Sequence, residues 1–169
     1  MHALEGPETV ALALYQPDIP QNAGNIFRLA ACLGVPVDVV EPAGFDLSDR
    51  ALRRAGMDYI PHAAIRRHLD WSAFEAARRG EGRRLVLLTT RAEESYLDFA
   101  FSPRDVLLLG RESAGVPDAV HEAADARIVI PIRAGLRSLN VASAAAMVLG
   151  EALRQTGGFP GIAPAAGTM

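Results

Sequence analysis

The sequence has no lysine, and all 17 of its basic residues are arginine. Without lysine it cannot contain the nucleotide-binding motif G-x-x-x-x-G-K-[ST], and no G-x-G-x-x-G fingerprint of dinucleotide-binding proteins follows a predicted strand. Its single cysteine, Cys32, cannot form an intramolecular disulfide or complete a structural zinc site, and it suits a reducing cytoplasm. These absences exclude the common nucleotide-binding motifs and the disulfide-stabilised scaffolds.

Long apolar runs are also missing. The longest weakly polar stretch, residues 139–153, is shorter than the roughly 20 residues that a membrane-spanning helix needs, and Glu151 interrupts it. The first residues, MHALEGPE, carry acids where a signal peptide has a basic region. The four histidines show no metal-ligand spacing, and the G-x-S-x-G motif of serine hydrolases does not occur. We therefore expect a cytoplasmic protein with no signal peptide, no membrane partner and no metal.

Positive charge is concentrated in one part of the chain, although the net charge is only −3. The segment 50–84 contains nine arginines and four acids, which is an excess of five positive charges. Such a segment fits either a solvated helix surface or a contact surface for the phosphates of RNA. The remainder of the chain is acidic, which argues against a protein that coats nucleic acid over its whole surface.

Short apolar runs alternate with longer segments of helical period, which predicts an α/β fold with a mainly parallel sheet flanked by helices. The length of 169 residues fits a single domain. We expect an ordered core over about 9–157 and loose tails at 1–8 and 158–169. The predicted strands are 10–15, 35–40, 84–89, 105–110 and 126–131. The predicted helices are 23–33, ended by Gly34; 48–55, with Ser48 or Asp49 as cap; 70–79; 117–124; and 140–156.

Three loops that follow strands carry unusual residues, and ligands of such folds bind beyond the carboxyl ends of the strands. The first, QPDIPQNAGNIFR (16–28), has Asn22 as a candidate helix cap, with Asn25 and Arg28 on one face of the following helix. A capped helix with a surface arginine would be the ordinary interpretation. The clustering of Asn22, Gly24, Asn25 and Arg28 at one junction between strand and helix favours a functional one.

The second and third loops supply further polar side chains. In GRESAGVP (110–117), Gly110 permits close backbone approach, and Glu112 can accept hydrogen bonds from a ligand. PIRAGLRSLN (131–140) is long for a compact domain, and its Ser138 and Asn140 suit helix capping as well as a site. The small residues 142–146 that follow allow close approach of another element, either within the core or from a second subunit.

Three motifs, which follow one another along the chain, resemble the signature motifs of the SPOUT superfamily of RNA 2'-O-ribose methyltransferases. They are IPQNAGNIFRLA, LLLGRESAGVP and IPIRAGLRSLNVASAAAMVLGEA, and the resemblance continues through VEPAGFDLSDRALRRAGMDY and LLTTR to cover roughly residues 10–160. The third motif departs from the usual pattern, because Ala142 and Ser143 stand where the family has a serine and an asparagine. The resemblance implies a fold with a C-terminal trefoil knot, S-adenosyl-L-methionine as cofactor and a homodimer.

The resemblance also implies roles for single residues. Arg28 matches the catalytic arginine, and Ser138 and Asn140 match polar residues of the catalytic site. Cofactor-binding positions of the family match Leu88, Gly110, Glu112, Ile130, Ser138 and Leu139. In the family the arginine has been proposed as the base, whereas a guanidinium that stays charged would instead stabilise the developing alkoxide.

The branch of the superfamily that the chain most resembles methylates the wobble nucleotide, C34 or modified U34, of certain leucine tRNAs. The same motifs would also suit an enzyme for ribosomal RNA or another tRNA position, and a catalytically silent RNA-binding homologue is an alternative of another class. The chain has no room for an appended RNA-binding domain. We therefore expect two subunits to hold the anticodon stem-loop of tRNA, with Arg53, Arg54 and Arg66 as phosphate contacts.

Overall fold

A six-stranded, entirely parallel sheet forms the centre of the protein, in the order β3-β2-β1-β5-β4-β6. The computed structural model describes residues 8–54 and 60–162. The strands are β1 Ala11–Tyr15, β2 Val37–Val40, β3 Ile65–His68, β4 Arg84–Leu88, β5 Asp105–Leu109 and β6 Ala126–Ile128. The helices are α1 Pro20–Leu33, α2 Asp49–Arg54, α3 Trp71–Gly80, α4 Asp118–Ala123 and α5 Val141–Thr156, and a short 3-10 turn covers Ile60–His62.

Helices cover both faces of the sheet, which explains why β1 and β5 are buried along their whole length. Alternate residues of β1 point to opposite faces. Leu12 and Leu14 join a core cluster with residues of α1 and α5, whereas Ala13 and Tyr15 join a second cluster with α3 and α4. The predicted α/β architecture with a parallel sheet is therefore confirmed.

β3 is the one strand of the described sheet that the sequence did not predict. Its sequence, IRRH, has a single aliphatic residue, and the two arginines are exposed. It pairs with β2 from Val37 opposite Ile65 to Val40 opposite His68, and it forms one edge of the sheet. An edge strand needs little apolar surface, so the period of two that reveals buried strands is too weak here to be detected.

α1 begins earlier than predicted, which corrects the role of Asn22. Pro20 occupies the first turn, where its missing N–H costs nothing, and Ile19 is the N-cap residue without a side-chain hydrogen bond. Asn22 therefore lies inside the helix and does not cap it. Gly34 ends α1 in the left-handed conformation, with φ of 67°, as predicted.

Other predicted helix boundaries are close to the observed ones. Ser48 caps α2, because its hydroxyl accepts from the Ala51 N–H at 3.2 Å; the predicted end of this helix at residue 55 lies outside the described residues. Asp70 caps α3 in the same way, through the Ala73 N–H at 2.8 Å. Of the predicted tails, residues 8 and 158–162 have no helix or strand, and the rest lies outside the described part.

Within residues 8–54 and 60–162, no helix is long and apolar enough to cross a membrane. The same residues contain no group of three or more metal-ligating side chains placed to hold an ion. The trefoil knot implied by the resemblance stays a prediction.

Candidate functional site

A cavity of about 500 Å³ opens at the carboxyl ends of the strands, where all three unusual loops meet. Its volume lies in the range of pockets that bind small molecules and cofactors. Leu87 and Leu88 of β4, Leu109 of β5 and Ala144 of α5 provide aliphatic walls. The lining includes seven residues predicted to act in the site: Leu88, Gly110, Glu112, Ile130, Ser138, Leu139 and Asn140.

A chain of three side chains connects the loops across the cavity. The Asn140 amide donates to Asn22 Oδ1 at 3.0 Å, and the Asn22 amide donates to Glu112 Oε1 at 3.3 Å. Asn22 is buried on the inner face of α1, and its carboxamide donates through Nδ2 and accepts through Oδ1 at the same time. The network therefore ties α1, the loop after β5 and the start of α5 into one unit.

Asn140 has two roles that the sequence left as alternatives. Its Oδ1 accepts from the backbone N–H groups of Ala142, at 2.9 Å, and Ser143, at 3.3 Å, and so caps α5. Its Nδ2 makes the bond to Asn22. Capping thus fixes the orientation of the amide that reaches into the site.

Glu112 lies at the cavity wall next to a second acid, Asp18, that the sequence gave no reason to select. Burial raises the pKa of Glu112, and hydrogen bonding to Asp18 adds to that effect. Hydrogen bonds from Glu112 and from the Ser113 hydroxyl lower the pKa of Asp18. The pair lies beside Asn22, so its protonation bears directly on the network.

Gly110 and Gly115 form the tightest part of the loop after β5. The backbones of Arg111 and Gly115 exchange two N–H···O bonds, of 3.1 and 2.8 Å, and Gly115 has φ of 62°. A Cβ added at Gly110 would lie 2.8 Å from the carbonyl carbon of Gly115 and 2.9 Å from its Cα. Only glycine therefore fits at position 110 while this turn is closed.

A sequence profile of the SpoU rRNA Methylase family matches residues 9–150, which include every element that builds the cavity. The chain belongs to this family.

Known SpoU methylases and related enzymes match almost the whole chain. A tRNA (cytidine(34)-2'-O)-methyltransferase from Ancylobacter novellus is 67% identical over 151 residues, covering 89% of this chain and 96% of the relative. A solved structure concerned with the 2-OH methylation of C/U34 on tRNA has a TM-score of 0.80 at 43% identity, covering 89% of this chain and 97% of that one. An AdoMet-bound rRNA methyltransferase from Sinorhizobium meliloti has a TM-score of 0.79 at 28% identity, covering 91% of this chain and 58% of that one. The resemblance drawn from the three motifs is confirmed.

The SpoU methylase fold does not place every predicted residue in the cavity. Arg28 and Asn25 lie exposed on the outer face of α1, whereas Asn22 points inward from the same helix. The spacing of three between Asn25 and Arg28 predicted this shared face correctly. The cavity lining contains Asn22 and omits Arg28.

The three arginines predicted to contact RNA have different surroundings. Arg53 and Arg54 are exposed on α2 beside a shallow depression that Asp49 and Arg50 also line. Arg66 is instead paired with Asp38, with Nε 2.7 Å from Oδ1, and with Glu81. The hydrogen bonds that Arg66 donates to Glu81 and Asp38 raise the pKa of its guanidinium. Two carboxylates therefore offset its charge and hold it against the sheet edge.

Sequence reasoning overlooked several residues that line the cavity. Thr89 and Thr90 follow β4, Ile19 precedes α1, and Arg111 and Val116 belong to the loop after β5. The two threonines are part of the LLTTR segment that contributed to the family resemblance, and their position directly after a buried strand was the available signal.

Proposed function

We propose that the chain is an S-adenosyl-L-methionine-dependent methyltransferase that modifies the ribose 2'-OH of nucleotide 34 in tRNA. The observation that carries this proposal is the cavity that the three motif loops build and that the chain Asn140–Asn22–Glu112 ties together. Similarity to enzymes named for this reaction supports the substrate. We further propose that the substrate is the anticodon stem-loop of leucine tRNAs and that the enzyme acts in the cytoplasm. We also propose that the methyl transfer uses no metal.

The lining of the cavity fits a nucleoside-sized cofactor with polar groups. Leu88, Ile130 and Leu139 offer apolar contacts for a base, and Gly110 allows the backbone to approach closely. Glu112 and Ser138 lie in the same wall and add polar groups to this lining. When bound, S-adenosyl-L-methionine supplies a methyl group on a sulfonium centre. The residues of the chain position it and exclude water.

Arg28 is the candidate catalytic residue of this proposal. A guanidinium keeps its positive charge throughout the pH range in which enzymes work, so it suits the stabilisation of a ribose oxygen that loses its proton during attack. Because Arg28 lies on the outer face of α1, we infer that bound tRNA and a second subunit complete the site over that face. Much of the remaining catalysis would come from positioning.

Nucleoside mass spectrometry of tRNA from a strain without the gene tests the function. We expect loss of a 2'-O-methyl nucleoside from position 34, restored by the wild-type gene, and transfer of a methyl group to the same position by the purified protein. Loss of the modification from ribosomal RNA or another tRNA position would favour the rival substrate. Unchanged RNA, together with no cofactor binding in calorimetry, would favour the silent homologue.

We also propose a homodimer that packs through the outer face of α5. Ser143, Ala146 and Met147 are exposed on this helix, and Gly150 has open space where a Cβ would lie. Small residues allow a second helix to approach closely, and the exposed fraction of Met147, 43%, is high for a long apolar side chain. Residues 131–140, which precede α5, are exposed throughout and extend this surface.

Met147→Glu is expected to convert the dimer into single chains. A carboxylate at the centre of a helix interface would lose its hydration without gaining a partner. Sedimentation at micromolar concentration should give the mass of two chains for the wild type and of one chain for the variant. Leu69→Glu is the matched control, because Leu69 is 84% exposed and belongs to no element of the proposed interface, and it should sediment as the wild type. A wild-type mass of one chain would contradict the proposal.

The arginines of α2 are expected to set the salt dependence of tRNA binding. If Arg53 and Arg54 each contact one phosphate, replacing both with glutamine should reduce the slope of log K against log[salt] by about 1.4 to 1.8. Arg66→Gln should change the slope less, because Asp38 and Glu81 already offset that charge. Filter binding across a salt series gives all three slopes. An unchanged slope in the double variant would mean that Arg53 and Arg54 are solvated surface residues and do not contact phosphate.

A further inference from the structure

Two acidic side chains from separate loops meet beside the cavity. Asp18 lies in the turn after β1, and Glu112 lies in the loop after β5. The Ser113 hydroxyl donates to Asp18 Oδ2, and the Asn22 amide donates to Glu112 Oε1. Gly44 packs against Asp18, since a Cβ there would lie 3.0 Å from the Asp18 Cα. Both acids are therefore held in place by neighbours.

The second oxygen of each acid has no donor. Asp18 Oδ1 and Glu112 Oε2 are both buried, and neither has a hydrogen-bond partner among the described residues. Two ionised carboxylates in this position would repel each other and would leave both oxygens desolvated without compensation. A single proton placed between the two groups removes the repulsion and provides the missing hydrogen bond, as in other paired carboxyl groups of enzymes.

Within the part of the chain that the structure describes, the other groups shown to contact the pair carry no charge. Ser113 on the same loop and Asn22 on α1 are uncharged, and Asn140 on α5 reaches the pair only through Asn22. The nearest cation in the sequence, Arg111, lies over the Tyr15 ring, with its guanidinium carbon 5.6 Å from the ring centroid. Among the described residues, Asp18 is the charged group that acts on the Glu112 carboxyl.

We propose that Asp18 and Glu112 hold one proton between them, and that Asp18 is thereby a positioning residue for the cofactor-binding loops. With the proton in place, Glu112 stays against Asn22, and Asn22 stays against Asn140. Loss of the proton makes the pair doubly negative, and the repulsion between the two carboxylates then disturbs the position of the loop that carries Glu112. The shared proton is independent of the proposed function, whereas its effect on cofactor binding rests on that function.

The direction of the pH dependence follows from the two acids. Burial and Asp18 raise the pKa of Glu112, so its neutral form persists at pH values where an ordinary glutamate is ionised. The stability that Glu112 contributes is present below its ordinary pKa and is lost as the pH rises through the raised one. Asp18, whose pKa is lowered, stays ionised across the same range and accepts the proton of Glu112.

Carbon-13 NMR of protein labelled in the side-chain carboxyls of glutamate tests the shared proton directly. The signal that disappears in Glu112→Gln belongs to Glu112. We expect its titration midpoint to lie above that of the exposed glutamates in the wild type, and to move down in Asp18→Asn. The proposal is overturned if Glu112 titrates with the exposed glutamates, or if Asp18→Asn leaves its midpoint unchanged. Neither result depends on methyltransferase activity.

Calorimetry with S-adenosylhomocysteine between pH 5 and 8.5 tests the positioning role. Wild-type affinity should fall by about tenfold, equivalent to roughly 1.4 kcal/mol, as the shared proton is lost. In Asp18→Asn and in Glu112→Gln, the affinity for S-adenosylhomocysteine should no longer fall with rising pH. Each variant has only one of the two acids, so the pair cannot become doubly negative. Glu93→Gln changes an exposed glutamate outside the cavity lining, and its affinity for S-adenosylhomocysteine should depend on pH as in the wild type.

NMR titration and calorimetry together distinguish failure of the positioning role from failure of the proposed function. A raised and Asp18-dependent midpoint with wild-type affinity that does not change with pH would overturn the positioning role. The same midpoint with no binding of S-adenosylhomocysteine at any pH would overturn the proposed function and support the shared proton. Circular dichroism of each variant at the lowest and highest pH excludes unfolding as the cause.

Discussion

Arg28→Ala is expected to lower the single-turnover rate of tRNA methylation by about 100-fold or more, with affinity for S-adenosyl-L-methionine nearly unchanged. Arg28 is exposed on the outer face of α1 and is not part of the cavity lining, so its removal should leave the cofactor contacts intact. Losing a charge that acts on the attacking oxygen affects only the transition state. Calorimetry for cofactor binding and rapid-quench methylation at saturating tRNA, on the same preparations, measure the two effects.

Two further variants sharpen this test. Arg28→Lys should recover part of the rate if positive charge is what matters, because lysine retains the charge and loses the planar fork of donors. Arg91→Ala removes another exposed arginine, whose ion pair with Asp118 at 3.2 Å is also exposed, and should retain the wild-type rate. A near-native rate for Arg28→Ala would show that Arg28 is an ordinary surface residue.

Gly110→Val should abolish cofactor binding and turnover together. Even the first carbon of the new side chain would lie within 3 Å of two backbone atoms of Gly115, so the turn that closes the loop must open. We expect affinity for S-adenosyl-L-methionine to fall by at least about 100-fold, which corresponds to roughly 3 kcal/mol. Overpacking should also lower the free energy of unfolding by about 1–3 kcal/mol.

Gly80→Ala provides the matched control for this substitution. Gly80 lies in the last turn of α3, it has no positive φ, and an added Cβ would meet nothing within 4 Å. Alanine should raise helix stability by up to about 1 kcal/mol and leave cofactor affinity at the wild-type value. Native affinity in Gly110→Val would mean that the loop does not close around the cofactor in the way the turn geometry indicates.

Several residues that line the cavity could be predicted from the sequence because they lie at the end of a buried strand or directly after it. Gly110 follows β5 directly, and Leu88 ends β4, so their position at the carboxyl edge of the sheet follows from local pattern alone. Asn140 was predicted as a cap and as a site residue, and it does act as the cap. A long apolar run locates a buried strand in the sequence, and the end of the strand then locates the residues at the edge of the sheet.

Residues whose surroundings depend on distant parts of the chain could not be predicted in the same way. Asn22 has the sequence features of a helix cap, and only the burial of its amide between Glu112 and Asn140 shows its structural role. Asp18 gains its importance from Glu112, on another strand's loop. Arg66 was one of nine arginines in a basic segment, and its pairing with Asp38 depends on a strand too polar to detect. Long-range contacts decided all three cases.

Both outer strands of the sheet are poorly suited to accept a strand from another molecule. β3 carries Arg66 and Arg67, and Arg67 is itself paired with Glu41 at 2.6 Å. β6 at the other edge has three residues, and the guanidinium of Arg127 at its centre donates to the His121 carbonyl at 2.8 Å. Charged side chains and short length are established protections against edge-to-edge aggregation. The sheet should therefore resist growth into fibres, and concentrated protein should associate through helical surfaces instead.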